Sequence, residues 1–194
     1  CSANAASVAG ALEALVLSLG LADRALALRR AHEQARRLAD IDPLTGLYNR
    51  RAWSQRLPET EREARTRGVP LTLLFLDLDG FKQLNDQHGH AAGDNTLLAL
   101  AGVLRAELRE EDLIGRYGGE EFVVALPGAD EAHALQVAER IRQRLRERSL
   151  TAVGVQCTVS IGVAALQSHE DTAALLRRAD APEEEWQGSR GIWK

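Results

Sequence analysis

The pattern of hydrophobic and polar positions changes period along the chain, and each change predicts a new element of structure. Residues from about Ala3 to Ala39 are rich in Ala and Leu and contain no Pro. This pattern predicts one helix, much longer than the average of about 11 to 12 residues. A polar helix is expected through Glu61–Arg67, followed by the apolar run Leu71–Asp77, which ends in an acid. Such a run is typical of a central strand that is covered on both faces.

The remaining chain alternates between shorter helices and strands. Helices are predicted at about Ala91–Leu108, Asp130–Glu147 and Asp171–Ala179, and strands at Leu113–Tyr117, Phe122–Leu126 and Val153–Ala164. Strands and helices interleave without a repeated strand–helix–strand unit, so we expect a mixed sheet. The predicted fold class is α/β, more closely an α+β sandwich, with a mixed central sheet flanked by helices and preceded by a long stalk helix.

The predicted stalk helix carries two patterns of its own. Coiled-coil spacing is followed by Leu21, Leu28, Ala31, Ala35 and Leu38. This spacing predicts a homodimer that forms through the stalk. Residues 2–22 carry one charge, Glu13, over a length close to the roughly 20 residues that cross a bilayer. Because Gly10 and Ser18 interrupt the run, a membrane-proximal segment or a stalk is favoured over a true span, and a buried amphipathic helix is the simpler alternative.

Domain boundaries follow from Pro and Gly. The segment DPLTGLYNR, Asp42–Arg50, is expected to separate the stalk from a globular domain. The predicted organisation is a stalk at residues 1–41, a domain at 42–180 and a tail at 181–194. Met is absent even from position 1, which favours a piece cut from a longer protein.

Composition narrows the class of protein. The 194 residues allow one domain plus an extension. The 24 basic and 28 acidic residues give a net charge of -4, which argues against nucleic acid as a partner. The two cysteines, Cys1 and Cys157, predict no disulfide framework and fit a reducing cytosol.

Polar groups follow the predicted central strand. Asp77 lies at its carboxyl end, where open α/β sheets bind ligands. The next turn contains Lys82, and its backbone N–H groups suit a phosphate. Asn85 and Asp94 then supply an amide and a carboxylate, groups that suit the edge of a guanine base. Each of these residues taken alone is more often a helix cap or a solvated polar group.

The stretch RYGGEEFVVAL places two adjacent carboxylates at a predicted hairpin tip. Glu120 and Glu121 tolerate one another if a divalent cation neutralises them, and Mg²⁺ prefers one or two protein carboxylates completed by phosphate and water. Gly118 and Gly119 are expected to adopt positive φ in the turn and to leave room for a nucleotide. An ordinary hairpin with a solvated acidic tip explains the glycines equally well.

Five motifs together resemble one family. DPLTGLYNRR, DLDGFKQLND, GHAAGD, RYGGEEF and VSIGVA occur in this order, and over roughly Asp42–Asp180 the chain resembles the GGDEF-domain diguanylate cyclases in the GGEEF variant. The resemblance implies a fold like that of nucleotide cyclases and polymerase palm domains. It also implies that two domains each bind one GTP and together form cyclic di-GMP, so the active species is a dimer.

The resemblance also assigns roles at the metal. It implies that Asp77, the Leu78 carbonyl and Glu120 bind Mg²⁺, with Mn²⁺ as an alternative. Glu121 assists the metal and phosphate environment, and either glutamate is a candidate base for the attacking hydroxyl. Lys82 is counted with the catalytic groups.

The substrate residues are assigned in the same way. Asn85 and Asp94 bind guanine, and Phe81 and Lys82 attend the phosphates. ATP is disfavoured because Asp94 would present an acceptor to adenine N1.

A second ligand site is implied by REED. Arg109 and Asp112 stand where the family has its inhibitory RxxD motif, at a fixed offset from GGEEF. Arg offers a planar fork to phosphate or guanine, and Asp accepts from guanine N1–H and N2–H. A surface Arg–Asp pair is common, so the offset is the stronger signal. Cyclic di-GMP is the implied ligand, with Arg140 as a further contributor.

The tail departs from the family pattern. Pro182 opposes continuation of a helix, and Gln187 stands where a phosphate-contacting lysine is expected. This departure calls the triphosphate affinity and the closing strand into question.

The leading interpretation is an active, product-inhibited diguanylate cyclase, a cytoplasmic domain of a membrane-anchored parent with an upstream sensory or membrane module. The alternative is a catalytically silent receptor for cyclic di-GMP, or a dimerisation module, that signals through the stalk.

Overall fold

The computed structural model describes residues 40–180 and the backbone of Arg190–Ile192. The chain divides into two units between Asp40 and Ile41, and the second unit contains all of these residues except Asp40. The predicted stalk, its coiled-coil seam, the interpretation of residues 2–22 and the substitution at Gln187 all fall outside them. Within the described part of the chain, no helix combines the length and hydropathy needed to cross a bilayer.

The described unit contains six strands and five helices. The strands are β1 (Tyr48–Asn49), β2 (Leu71–Leu78), β3 (Leu113–Arg116), β4 (Glu121–Pro127), β5 (Val159–Ala165) and β6 (Arg190–Ile192). The helices are α1 (Arg50–Arg67), α2 (Phe81–His88), α3 (His90–Glu107), α4 (Glu131–Val153) and α5 (Thr172–Ala179). The strand order is β1-β3-β4-β2-β5-β6. The β1–β3 pair is parallel and the other pairs are antiparallel, so the predicted mixed sheet is confirmed.

Strand β2 lies at the centre because its side chains are apolar on both faces. Leu74, Leu76 and Leu78 pack into a core with α3 and α4, whereas Leu73 and Phe75 face a second core. The second core includes residues of α1 and α5. The alternation of side chains along a strand therefore divides one apolar run between two layers of helices.

Two elements differ from the prediction around Gly154. The strand predicted from Val153 begins only at Val159, because α4 continues to Val153 and ends at Gly154, whose φ is 74°. Gly is the residue most able to adopt this left-handed conformation, which ends helices. The sequence prediction also missed α2, where only a tight turn was expected.

The closing edge of the sheet is present. Strand β6 pairs antiparallel with β5, with Ile192 opposite Ile161 and Arg190 opposite Val163. The tail sequence called the formation of a closing strand into question. The backbone of Arg190–Ile192 does form one, although the tail sequence departs from the family pattern.

Close packing in the second core depends on Gly115 of β3. The indole of Trp53 lies over it and donates from Nε1 to the Leu113 carbonyl at 3.1 Å. A Cβ atom built on Gly115 would lie 2.8 Å from Trp53 Cδ1, closer than van der Waals contact. A side chain here forces the fully buried Trp53 to move.

We predict that Gly115→Ala lowers the free energy of unfolding by about 1–3 kcal/mol through overpacking against Trp53. The matched control is Gly102→Ala in α3, where the added Cβ meets only the guanidinium of Arg148, the mobile end of a long side chain. Helix propensity favours Ala there by up to about 1 kcal/mol. Urea denaturation measures both, and equal stability of the two variants would contradict the packing argument.

Candidate active site

Two distant acidic segments meet at the end of β2. The antiparallel register places Asp77 opposite Glu121 on β4 and opposite Ser160 on β5. The Leu78 N–H donates to the Glu120 carbonyl at 3.3 Å. The structure thus brings the predicted residues Asp77 and Leu78 together with Glu120 and Glu121. The two pairs are more than forty positions apart in the sequence.

The electrostatics of this corner favour a cation. Burial raises the pKa of Asp77 to about 6, and the charges of Glu120, Glu121, Asp79 and Asp180 add to the shift. Two carboxylates and a backbone carbonyl form a donor set that Mg²⁺ accepts when phosphate and water complete it. No group of three or more His, Cys, Asp or Glu that could hold a metal ion occurs among the described residues.

Asp180 belongs to this acidic corner, although the sequence patterns assigned it no role. Burial, and then the charge of Glu121, raise the pKa of Asp180, while Arg50 acts in the opposite direction. Arg50 also stacks over the Tyr117 ring at 4.5 Å. Asp180 follows the last turn of α5, so only tertiary structure could reveal its proximity to the hairpin.

Asp79 is engaged elsewhere. Its two carboxylate oxygens accept from the hydroxyls of Thr158, at 2.5 Å, and Ser160, at 2.6 Å. Its N–H donates to the Thr158 carbonyl at 3.0 Å. Asp79 therefore fixes the turn after β2 against β5, whereas the neighbouring Asp77 has no such hydroxyl partners among the described residues.

The hairpin glycines differ from the prediction. Neither Gly118 nor Gly119 has positive φ; among the residues near the site this conformation occurs at Gly80 (65°) and Gly89 (82°), on either side of α2. A Cβ atom on Gly118 would overlap the carboxylate of Glu121, so a side chain there would displace the flexible end of that glutamate. At Gly119 a Cβ would meet nothing within 4 Å, which leaves that side of the tip open.

The residues predicted for phosphate and guanine lie on α2 and at the start of α3. Phe81 and Lys82 begin α2; Phe81 packs against the core and Lys82 is exposed. The side chain of Asn85 lies over Gly93, where it occupies the space of a Cβ atom. Its buried Oδ1 has no hydrogen-bond partner among the described residues.

A buried amide oxygen without a partner is costly unless a ligand satisfies it. Asp94 follows Gly93 directly and is exposed. The two predicted guanine residues therefore come from the α2–α3 junction, which explains why they are nine positions apart.

Arg116 ties the hairpin to the beginning of the domain. It donates to both carboxylate oxygens of Asp42 at 3.2 Å and to the Gly119 carbonyl at 2.7 Å. Burial raises the pKa of Asp42, but hydrogen bonds from Thr45 and Arg116 outweigh it and hold the pKa below its usual value. The sequence motif contained Arg116, yet nothing in the spacing indicated this contact.

The second predicted site is a separate pocket. The Arg109 N–H donates to Asp112 Oδ2 at 2.8 Å, and both residues line a small cavity with Arg140 of α4. Burial is the main cause of a raised pKa at Asp112. The sequence missed Glu107 and His133, which line the same cavity, because only the packing of α3 against α4 places them there.

Known proteins are similar to this chain in sequence and in fold. The family model described as diguanylate cyclase, GGDEF domain, matches residues 39–186. The chain is similar to the diguanylate cyclase DgcP of Pseudomonas aeruginosa, with 39% identity over 89% of this chain and 26% of the relative. It is also similar to the response regulator PleD of Caulobacter vibrioides, with 42% identity over 79% of this chain and 35% of the relative. The chain thus spans about a quarter to a third of these relatives.

Solved structures are similar as well. The coiled coil and GGDEF domain of DgcB from Caulobacter crescentus, in complex with c-di-GMP, align with a TM-score of 0.73 and 32% identity. That alignment covers 84% of this chain and 90% of the other. The diguanylate cyclase SiaD of Pseudomonas aeruginosa, in complex with its activator SiaC, aligns at a TM-score of 0.67 and 38% identity, covering 87% of this chain and 66% of the other. By its motifs, its fold and these matches, the chain belongs to the GGDEF-domain diguanylate cyclase family.

Proposed function

We propose that this domain is a diguanylate cyclase that joins two GTP molecules into cyclic di-GMP and releases two pyrophosphates. The observation that carries the proposal is the meeting of Asp77 and Glu120 at one corner of the sheet, next to a helix that begins with Phe81 and Lys82. The names of relatives such as DgcP support this activity. They describe longer proteins, so the proposal concerns this domain alone.

The chemistry requires two transfers of the same kind. In each, the 3′ oxygen of one GTP forms a bond to the α-phosphorus of the other, the bond to pyrophosphate breaks, and the hydroxyl proton passes to Glu120 or Glu121. A bound Mg²⁺ supplies charge neutralisation for the triphosphate and for the departing pyrophosphate. Asp77, Glu120 and the Leu78 carbonyl hold that ion, while Lys82 and Phe81 position the phosphates.

Substrate choice rests on the α2–α3 junction. The unpartnered oxygen of Asn85 and the exposed carboxylate of Asp94 suit the donors on a guanine edge. A site that leaves such groups unsatisfied with the wrong base discriminates strongly against it. GTP is therefore the proposed substrate.

The reaction needs two copies of the domain. One hairpin site presents one triphosphate, and the attacking 3′ oxygen must come from a second bound nucleotide. A homodimer formed through the stalk supplies it, and an upstream module in a longer parent would set how the two domains meet.

A second candidate function is a silent receptor for cyclic di-GMP. The pocket formed by Arg109, Asp112 and Arg140 favours it, because those residues are distinct from the acidic corner around Asp77. A turnover assay with GTP and Mg²⁺ separates the two functions. Product formation supports the cyclase, and binding of cyclic di-GMP without turnover supports the receptor.

We predict that Glu120→Gln abolishes product formation, because it removes one anionic metal ligand with little change in volume. Product is measured by chromatography, and circular dichroism checks that the fold is retained. The control is Glu63→Gln on the exposed face of α1, which removes the same charge far from the site and should leave turnover unchanged. Wild-type turnover in the Glu120 variant would exclude it as a required metal ligand.

The acidic corner is also predicted to destabilise the metal-free domain. Because the folded-state pKa of Asp77 is about 6 against an ordinary 3.8, the folded state binds the proton more tightly, and stability is lost as pH rises through this window. Asp77→Asn removes that loss. In EDTA at pH 7 we expect the melting temperature of the variant to exceed that of the parent by about 2–4 °C. This shift corresponds to about 1 kcal/mol in the free energy of unfolding, a value reduced for solvent screening because the Asp77 carboxyl is partly exposed.

The same experiment has two internal checks. The difference should disappear below pH 3.8, where the parent carboxyl is protonated in both states. Mg²⁺ added together with GTP should stabilise the parent more than the variant. A variant less stable than the parent at pH 7 would show that Asp77 is a structural residue rather than a strained metal ligand.

We predict that Arg109→Ala relieves product inhibition, because it removes the fork that holds phosphate or guanine. Each variant is compared with its own rate before cyclic di-GMP is added. Arg109→Lys keeps the charge without the planar fork and should show an intermediate inhibition constant. If added cyclic di-GMP slows parent and alanine variant equally, the inhibitory assignment is wrong.

A further inference from the structure

Glu107, the last residue of α3, is held by two arginines of α4. Its Oε2 lies 3.1 Å from Arg140 Nε, and its Oε1 lies 3.4 Å from Arg144 Nε. The Glu107 side chain is 18% exposed, whereas those of Arg140 and Arg144 are 49% and 63% exposed. One sheltered carboxylate thus bridges two flexible cations that lie one helical turn apart.

The Glu107–Arg140 pair lies in the second pocket. That pocket has a volume of about 60 Å³, well below the roughly 300 Å³ of typical ligand sites. Arg140 and Glu107 both line it, together with Arg109 and Asp112. A nucleotide is too large to be enclosed by this cavity and would lie partly outside it, where the exposed, long side chain of Arg140 can reach it.

An anionic ligand and Glu107 compete for the same guanidinium. Arg140 donates its Nε to Glu107, so this contact must break if a phosphate is to take the Nε edge of the planar fork. We infer that Glu107 competes with the ligand for Arg140 and so sets the affinity of the second site, an inference that rests on the cyclic di-GMP site proposed above. When Arg140 leaves Glu107, Arg144 retains the carboxylate.

Arg144 keeps a cation beside Glu107 when Arg140 moves to the ligand. Without it, ligand binding would leave the sheltered Glu107 carboxylate with no cation, which is costly. With Arg144 in place, Glu107 loses its contact with Arg140 and keeps its contact with Arg144. Arg144 also contacts the exposed Glu147 at 3.3 Å, one turn further along α4. Among the ion pairs of the described residues, Glu147 pairs with Arg144 and not with Arg140.

The experiment is calorimetric titration of the full 194-residue chain with cyclic di-GMP. Glu107→Gln keeps the side-chain shape and removes the competing charge, so binding should tighten about two- to fivefold, the range of one exposed ion pair. Arg144→Met keeps the apolar stem and should weaken binding about twofold or more. In the Glu107→Gln background the Arg144→Met substitution should have no effect, since no carboxylate remains to be retained.

Glu147→Gln is the matched control. It removes the same charge from a residue that pairs with Arg144 and not with Arg140, so its affinity should equal that of the parent. The inference is overturned if Glu107→Gln binds no more tightly than Glu147→Gln, if the two substitutions are additive, or if no variant binds. Turnover of GTP is measured separately, so that an inactive parent with the expected affinity series would refute the proposed cyclase and leave this inference standing.

Discussion

The repulsion among carboxylates at the end of β2 is the constraint on which the site depends. The strand is central because its leucines fill two cores, and this burial fixes Asp77 beside Glu121 with no freedom to move away. The cost appears as a raised pKa. This repulsion opposes stability, and the cation proposed to arrive with the substrate would relieve it.

The neighbouring contacts limit this repulsion without removing it. Asp79 is satisfied by the hydroxyls of Thr158 and Ser160, and Arg50 partly offsets the charge of Asp180. Glu121 folds back over Gly118, so that a Cβ atom there would displace its carboxylate. The hydrogen bonds of Asp79 fix the turn after β2, and none of these interactions places a positive charge on Asp77 itself. The corner is therefore preorganised for a ligand ion, as electrostatic catalysis requires.

Sequence alone predicted the elements whose signals are local. The apolar run of β2 and the motif around Glu120 were sufficient for the sheet and for the acidic corner. The predicted end of α4 was wrong because the helix continues until Gly154, where one left-handed backbone conformation ends it. The roles of Asp180, Glu107 and His133 were missed because each depends on packing between elements that are distant in sequence, and no spacing rule reaches across that distance.

Strand β3 connects the two proposed ligand sites. Asp112 precedes it, Arg116 ends it, and Arg116 holds both Asp42 and the Gly119 carbonyl. The strand is paired on both edges, with β1 and β4, and Trp53 packs on Gly115 at its centre. A strand so constrained moves as a rigid body with its neighbours. For the ligand proposed at Asp112, this rigidity favours inhibition through the arrangement of two domains over a local change at Glu120.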